Sequence, residues 1–331
     1  MEVWEFMQKQ SLPYEAKLAH AKIKAREFYE RMNGQVFVSV GGLDSITLAA
    51  FLRVYISKDI TAVSVSTLED KTVQAVHRQI DNLTMLIPTK SKVEVIREFG
   101  YPIISKDKAG KIELIQNPTE KNATVRHAIL TGQTGKQGGN KYSKFMRLPT
   151  KWHRLFIDQE APFKVSNKCC YYLKEKPCDR YARETGRFVY MGLMADEGGQ
   201  RAQALVKHGC NYYGKTVTRS CPFAIFKKTE VLRLALELHI PIPEIYGHIV
   251  ALPDGTLTTT KAHRTGCTMC GFGVHLEKRP HRFDRLKETN PKEWRFWMYE
   301  MGWGKVLDYI GVGWEVPVPE QARLIPLGEL A

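Results

Sequence analysis

The chain has 331 residues, 43% of them apolar and 25% charged. This length supplies a large hydrophobic core, as one domain with additions or as two domains. The composition is that of a globular protein. No apolar run approaches the roughly 20 residues that cross a bilayer, so an integral membrane protein is not expected.

The formal net charge of +14 is concentrated in the middle of the chain. Residues 101–250 contain 25 Lys/Arg and 13 Asp/Glu, whereas the two flanking parts are nearly neutral. A localised basic surface attracts polyanions or charged nucleotides. Nucleic acid is therefore one predicted partner, and a solvated surface without a partner is the alternative.

The first residues, MEVWEF, lack the basic and apolar regions of a signal peptide. We therefore expect a cytoplasmic protein. In that compartment the seven cysteines are expected to be ligands, nucleophiles or core residues rather than disulfides.

Helical and strand patterns alternate along the first hundred residues. Apolar periodicity and β-branched runs predict helices over 13–32, 46–55, 73–83 and 93–99, and strands over 36–40, 60–66 and 85–87. Further on, a strand is predicted over 188–194, a helix over 229–238 with Thr229 near its N-cap, and an aromatic helical tail over 291–310. This alternation predicts an α/β fold with a doubly wound, mainly parallel sheet.

Composition suggests three parts in the chain. These are an N-terminal helical segment at 1–32, an α/β nucleotide-binding domain at 33–250, and a helical, cysteine-bearing portion at 251–331. Residues 131–145 are rich in glycine and lysine and predict a flexible basic insertion.

A glycine pair follows the first predicted strand. The segment Val40-Gly-Gly-Leu-Asp-Ser45 would place backbone N–H groups and a helix N-terminus together, which suits phosphate. Glycines let the backbone approach an anion closely. Asp44 adds a carboxylate for Mg²⁺ and Ser45 a hydroxyl. The lysine of the common G-x-x-x-x-G-K-[ST] phosphate loop is missing.

Four cysteines have the count and the spacing of a metal site. They are the adjacent pair Cys169 and Cys170 and the pair Cys267 and Cys270, which lie in a C-x-x-C spacing. Four thiolates satisfy a [4Fe–4S] cluster or a structural zinc. Adjacent cysteines are unusual for zinc, which favours the cluster; unligated core cysteines are the third reading. Cys178, Cys210 and Cys221 are expected in the core, or one of them is a persulfide carrier or a nucleophile.

The glycine segment resembles the S-G-G-x-D-S loop of the PP-loop ATP pyrophosphatases and sulfonucleotide reductases. Val40 stands where that family has Ser, and Leu43 where the reductases have Lys. The cysteine spacing resembles the cluster signature of adenylylsulfate reductases. Five further runs are similar to phosphoadenosine-phosphosulfate-reductase-family proteins: KYSKF at 141–145, APFKVSNKCC at 161–170, KHGCN at 207–211, HRTGCTMCGFGVHLEKRPHRF at 263–283 and GKVLDYIGV at 304–312.

This resemblance implies an adenine-nucleotide α-hydrolase fold that binds ATP or another adenine nucleotide with Mg²⁺. It implies that Glu197, Arg201 and Arg264 face the substrate. The expected catalytic residues are Asp44, Glu197 and Arg201. The expected nucleotide-binding residues are Ser39, Gly41, Gly42, Leu43, Asp44, Ser45 and Arg264.

Three functional hypotheses follow. The first is ATP-driven activation of a nucleic acid for sulfur transfer, as in DNA phosphorothioation or tRNA thiolation, with a cysteine desulfurase as sulfur donor. The second is a sulfonucleotide reductase. It would need an unusual nucleophile, because residues 271–331 contain no cysteine. The third is a non-catalytic nucleotide- or nucleic-acid-binding protein. The oligomeric state stays open, a homodimer being one expectation.

Overall fold

The computed structural model describes residues 3–65, 69–134 and 141–315. The chain forms two compact units. The first consists of Met1–Thr89 and Lys174–Cys267, and the second of Lys90–Leu173 and Thr268–Ala331. Each unit therefore combines two separate stretches of sequence.

The strands and helices of the described residues are as follows. The strands are β1 Val36–Val40, β2 Thr61–Val65, β3 Leu83–Leu86, β4 Ile103–Ile104, β5 Gln133–Thr134, β6 Lys141–Tyr142, β7 Phe188–Met191, β8 Asn211–Tyr213, β9 Thr218–Ser220, β10 Ile249–Ala251, β11 Leu257–Thr259 and β12 Gly271–Phe272. The α-helices are α1 Val3–Gln10, α2 Tyr14–Arg31, α3 Leu43–Tyr55, α4 Lys71–His77, α5 Lys92–Phe99, α6 Lys106–Gln116, α7 Ala123–Thr131, α8 Thr150–His153, α9 Lys168–Cys170, α10 Lys176–Thr185, α11 Gly199–His208, α12 Lys228–Glu237, α13 Arg282–Thr289, α14 Pro291–Arg295 and α15 Trp303–Tyr309. Short 3-10 turns cover Glu120–Asn122, Ala195–Glu197, Glu244–Tyr246 and Val274–Leu276, and π turns cover Arg154–Asp158, Tyr171–Glu175 and Phe296–Glu300.

A six-stranded sheet forms the centre of the first unit. Its strand order is β3-β2-β1-β7-β9-β8. β1 pairs in parallel with both β2 and β7, whereas the edge strand β8 is antiparallel to β9. The predicted α/β fold with a mainly parallel sheet is confirmed.

The side chains of β1 alternate between two helical layers. Val36, Val38 and Val40 point into the large core that also holds residues of α2, α3 and α12. On the opposite face, Phe37 packs edge-on against Tyr181 of α10. Because a strand turns successive side chains to opposite faces, this pattern requires helices on both sides of the sheet.

Several element boundaries differ from those predicted. α3 begins at Leu43, three residues earlier than expected, because Gly42 is its N-cap. α12 begins at Lys228 rather than after Thr229. The Thr229 hydroxyl instead accepts the backbone N–H of Leu257, at 2.8 Å. The helix predicted over 73–83 is α4, which ends at His77.

The second unit joins two distant stretches through a short parallel strand pair. In that pair β4 lies beside β12, with Ile103 opposite Gly271. Around it, Trp303 packs against Tyr101 and Phe283. This pairing places residues after 267 in one core with residues 90–173. The chain therefore passes from one unit to the other after residues 89, 173 and 267. The boundaries predicted from composition are at residues 32 and 250.

The glycine-rich stretch predicted as an insertion begins and ends in a hairpin. Gln133 pairs with Tyr142, and Thr134 with Lys141. Residues 135–140 of the predicted insertion lie outside the described residues.

We expect a buried ion pair between α2 and α12 to be important for stability. Nζ of Lys17 donates to both Glu230 carboxylate oxygens at 2.8 and 2.9 Å, and Lys17 is fully buried. Lys17→Met would leave the carboxylate without its cation and should lower the free energy of unfolding by about 3 kcal/mol. Urea denaturation measures this loss. Lys24→Met removes the exposed pair with Glu27 and should cost less than about 1 kcal/mol; equal losses in both variants would contradict the argument.

Candidate functional site

A crevice lies at the carboxyl ends of β1 and β7. The chain runs from β1 outward through β2 to β3, and β7 then returns to the other side of β1. Parallel sheets bind ligands at such a reversal of strand order. The loops after the two strands touch, since a Cβ built on Gly192 would lie 3.0 Å from Ser45 Cα and 3.1 Å from the Asp44 carbonyl oxygen. Gly192 therefore permits this approach, and the sequence analysis missed it.

The loop Gly41–Ser45 is held by its own serine. The Gly41 N–H donates to Ser45 Oγ at 2.7 Å, and that hydroxyl donates to the Gly42 carbonyl at 2.9 Å. Ser45 thus stabilises the turn from β1 into α3. A bound phosphate would compete for these groups.

A buried histidine supports the same loop. His77 Nε2 lies 2.7 Å from the Gly41 carbonyl oxygen, and Nδ1 lies 3.1 Å from Ser64 Oγ on β2. His77 is fully buried. The loop is therefore tied to the neighbouring strand, and this residue was not identified from the sequence.

Tyr246 and Thr265 cover the start of α3. The Tyr246 hydroxyl accepts the Leu43 N–H at 3.0 Å and lies 2.8 Å from Thr265 Oγ1. Burial raises the pKa of Tyr246, so its phenol stays neutral. The Leu43 side chain is buried in a cluster with Val73, so Leu43 contributes only its backbone to the loop.

A lysine that the sequence analysis did not identify reaches the loop from α12. Lys228 Nζ forms an ion pair with Asp44 Oδ1. Its backbone N–H donates to Asp196 Oδ2 at 2.9 Å, which holds the start of α12 beside the loop after β7. Lys228 thus supplies a cation beside the loop, whose own position 43 is apolar.

A second lysine lies on the other flank. Lys174 Nζ is 2.9 Å from Glu69 Oε1. That oxygen lies 3.5 Å from a Cβ built on Gly41, so the pair borders the glycine. Two lysines, each paired with a carboxylate, therefore flank the loop.

Two arginines, Arg201 on α11 and Arg264 after β11, lie beside Glu197, which follows β7. Its Oε1 pairs with Arg201 Nη1 and lies 3.6 Å from Arg264 Nη2. Its other oxygen, Oε2, is buried and has no hydrogen-bond partner among the described residues. The three residues predicted to face the substrate thus lie together, with both guanidinium groups exposed.

The Ser39 side chain lies beside helix α10. Its hydroxyl lies 3.9 Å from Cys178 Sγ on α10, whereas Val40 points into the core on the other face of the sheet. Ser39 therefore contacts a helix in this structure, and its predicted role with nucleotide stays a prediction.

The four cysteines of the predicted cluster lie in different surroundings. Cys169 is buried with Val95 and Leu173, and Cys170, Cys267 and Cys270 are partly exposed. Among residues 3–65, 69–134 and 141–315, no group of three or more His, Cys, Asp or Glu side chains is positioned to hold a metal ion. The cluster therefore stays a prediction from the donor set.

The remaining cysteines are poor nucleophiles. Burial raises the pKa of Cys210 to about 11 and that of Cys221 to about 12, and it also raises the pKa of Cys178. A nucleophilic cysteine needs a thiolate. The three side chains therefore suit core packing better than attack on sulfur or phosphorus.

We predict that Cys210 and Cys221 resist iodoacetamide at pH 8 in the folded protein and react fully in urea. Peptide mass mapping measures this difference, and equal rates in both states would contradict it.

The same two thiols make stability depend on pH. The pKa of a thiol in the unfolded chain is near 9, and the pKa values of these two thiols in the folded protein are higher. The free energy of unfolding should therefore fall as pH rises above about 9.

Comparison with known proteins gave matches to solved structures alone. No family model and no curated protein matches the chain. A phosphoadenylyl-sulfate (PAPS) reductase from Candida auris has 12% identity and a TM-score of 0.36, over 71% of this chain and 91% of that one. The U34-tRNA thiolase NcsA from Methanococcus maripaludis, with its [4Fe-4S] cluster, has 14% identity and a TM-score of 0.33, over 89% and 80%. Similarity at this level assigns neither an activity nor a site residue to this chain.

No described helix is both long and apolar enough to span a membrane.

Proposed function

We propose that this protein is a nucleotide-dependent enzyme that activates an acceptor with ATP and releases pyrophosphate. The observation that carries the proposal is the glycine loop at the reversal of strand order, flanked by the Lys228–Asp44 and Lys174–Glu69 pairs. Glycines admit phosphate oxygens, and the lysines supply positive charge at that position.

The ion pairs suggest how the loop changes when phosphates bind. Lys228 is paired with Asp44, and a triphosphate offers it a more highly charged partner. Its transfer to phosphate would release the Asp44 carboxylate. Mg²⁺ would neutralise phosphate charge there, and Asp44 is the loop residue suited to hold it.

The two arginines beside Glu197 are suited to binding the acceptor or the charge that develops in the reaction. Arg201 and Arg264 are exposed and share the single carboxylate of Glu197. Guanidinium groups bind phosphate or developing negative charge well. In the proposed step, an acceptor oxygen attacks the α-phosphorus of ATP, the bond to the β-phosphate bridging oxygen breaks, and pyrophosphate leaves.

Sulfur transfer is the proposed use of the activated acceptor. The persulfide of a cysteine desulfurase would displace AMP from the activated position, and an added low-molecular-weight thiol would reduce the resulting disulfide to release the thiolated product. Nucleic acid is the proposed acceptor because the charge of residues 101–250 is strongly positive. A [4Fe–4S] cluster on Cys169, Cys170, Cys267 and Cys270 is part of this proposal from the donor set alone.

Reduction of a sulfonucleotide is the second candidate. The pair of arginines beside Glu197 favours it, because guanidinium groups also bind sulfate. The raised pKa values of Cys178, Cys210 and Cys221 oppose it, since that reaction needs a thiolate.

Anaerobic incubation with ATP, a cysteine desulfurase, cysteine, a thiol reductant and nucleic acid tests the proposal. We expect pyrophosphate together with thiolated nucleic acid, detected by mass spectrometry of the nucleosides. Asp44→Asn is the inactive control. Sulfite release from a nucleotide sulfate, with no pyrophosphate from ATP, would establish the reductase instead. Absence of both products would leave the non-catalytic binding protein.

A further inference from the structure

Residues 121–157 form the longest acid-free basic stretch of the chain. They contain eight Lys/Arg and no Asp or Glu. Seven of the eight lie in the described parts of this stretch, and six of those are exposed: Lys121, Lys141, Lys144, Arg147, Lys151 and Arg154. Within the described chain none of the seven forms a salt bridge, so their charge is not neutralised by a neighbouring carboxylate.

Several hydrogen bonds hold this stretch together within the second unit. The hairpin of β5 and β6 follows α7 directly, and the Ser143 N–H donates to the Gly132 carbonyl at 2.7 Å. The Leu148 N–H donates to the Ile129 carbonyl at 2.9 Å. The segment after the hairpin is therefore fixed against α7. We call the described residues 121–134 and 141–157 the basic hairpin region.

Two aromatic rings stand exposed in the basic hairpin region. Phe145 is 85% exposed and Tyr142 is 58% exposed. Nζ of the buried Lys111 donates to the Phe145 carbonyl at 2.5 Å, which fixes the backbone below the ring. The Tyr142 ring lies against Gly132, where a built Cβ would be 2.5 Å from Cε2. The Tyr142 ring is therefore held beside Gly132, and the Phe145 ring projects from a fixed backbone; both rings remain open to solvent.

We propose that the basic hairpin region binds single-stranded nucleic acid. Exposed lysines and arginines attract the phosphate backbone, and exposed rings stack on unpaired bases. A duplex keeps its bases stacked internally and offers no such contact, so a single strand fits better. The proposal rests on the proposed function for its acceptor, and names the surface that would hold that acceptor.

Fluorescence anisotropy without ATP tests this surface separately from catalysis. The probes are labelled 20-nucleotide poly-dT and poly-U, the same lengths as duplex, and heparin as a competitor without bases. We expect Phe145→Ala to weaken single-strand binding about tenfold, from the loss of one stacked base. Lys141→Glu with Lys144→Glu should weaken it further and flatten the dependence on salt.

Matched variants distinguish this surface from general charge. Lys292→Glu with Arg295→Glu makes the same charge change at exposed positions on α14 and should weaken binding much less. Tyr142→Phe keeps the ring and should bind like the wild type, whereas Tyr142→Ala should not. A Lys228→Met variant should bind the strand normally even if it lacks activity.

Three results would overturn the proposal. The first is tighter binding of duplex than of single strand, and the second is that heparin displaces the single strand equally well from the wild type and from Phe145→Ala. The third is that the α14 variant weakens single-strand binding as much as Lys141→Glu with Lys144→Glu does. Strand binding without pyrophosphate release would instead support this surface and contradict the proposed function. Preference for poly-U over poly-dT, or the reverse, identifies which strand the surface accepts.

Discussion

Lys228→Met should raise the Kd for ATP by about 10- to 150-fold. The lysine is the cation paired with Asp44, and a charge-assisted hydrogen bond to phosphate contributes about 1.5–3 kcal/mol. The pair is partly exposed, at 31% for Lys228 and 25% for Asp44. Its loss should therefore change the free energy of unfolding by less than about 1 kcal/mol. Isothermal titration of ATP, with urea denaturation of the same sample, measures both quantities.

The neighbouring lysine provides the control for this variant. The Lys227 side chain is exposed. Its backbone N–H donates to Glu230 at 2.7 Å, and a substitution of the side chain keeps this bond. Lys227→Met removes the same charge one residue away and should leave ATP affinity within about twofold. Equal weakening by both substitutions would show a general effect of charge, and the assigned role of Lys228 would be wrong.

Gly42→Ala should weaken ATP binding at least tenfold and destabilise the first unit by about 1–3 kcal/mol. Gly42 has φ −79° and ψ −172°, which alanine adopts without strain. The cause is therefore contact alone: its Cβ would lie 2.5 Å from the Tyr246 hydroxyl and 3.0 Å from Thr265 Oγ1. Overpacking of this kind displaces the loop that we propose holds phosphate.

A double-mutant cycle with Tyr246→Phe tests that cause. Tyr246→Phe alone should be destabilising, because the Leu43 N–H loses its acceptor. In combination with Gly42→Ala it also removes the atom in closest contact. We expect the double variant to be more stable than the sum of the two single losses by about 1 kcal/mol or more. If the losses in the free energy of unfolding, measured by urea denaturation, are strictly additive, the Tyr246 hydroxyl is not the group that excludes a side chain at position 42.

Local sequence patterns were sufficient to predict the first half of the sheet. The β-branched run at 36–40, the glycine pair and the apolar helix after it carry their own signals, and β1 and α3 form there. The first and last residues of the elements were harder to predict. Thr229 has a good N-cap side chain, but its hydroxyl bonds to the start of β11 instead, a contact that only the tertiary fold creates.

The division into units could not be read from composition. Trp303 and Tyr101 lie in one aromatic core although about two hundred residues separate them. Nothing in the aromatic tail indicates this partner, because a buried tryptophan is compatible with any apolar neighbour.

In the candidate site, too, contiguous residues were predicted and residues brought in by the tertiary fold were not. Asp44, Ser45 and the two glycines were found because they are contiguous after a strand. Lys228 was one basic residue among 49, and its role depends on where α12 begins. Gly192 did carry a usable signal, since a glycine at the end of a buried strand often marks close backbone approach.

Burial of Val40 makes a serine at this position an unsuitable test of the loop. Val40 is buried among core side chains on the face opposite Ser39. Val40→Ser would therefore bury a hydroxyl in an apolar core, and loss of stability would obscure any gain in ATP turnover.

Product analysis by ³¹P NMR is the most direct test of the central claim, that the crevice between β1 and β7 directs cleavage of ATP between its α- and β-phosphates. The protein, prepared anaerobically, is incubated with ATP, Mg²⁺ and single-stranded nucleic acid. We predict pyrophosphate and AMP or an adenylated acceptor, with the rate reduced at least tenfold in Lys228→Met and unchanged in Lys227→Met. ADP and inorganic phosphate, or unchanged ATP in the wild type, would contradict the account.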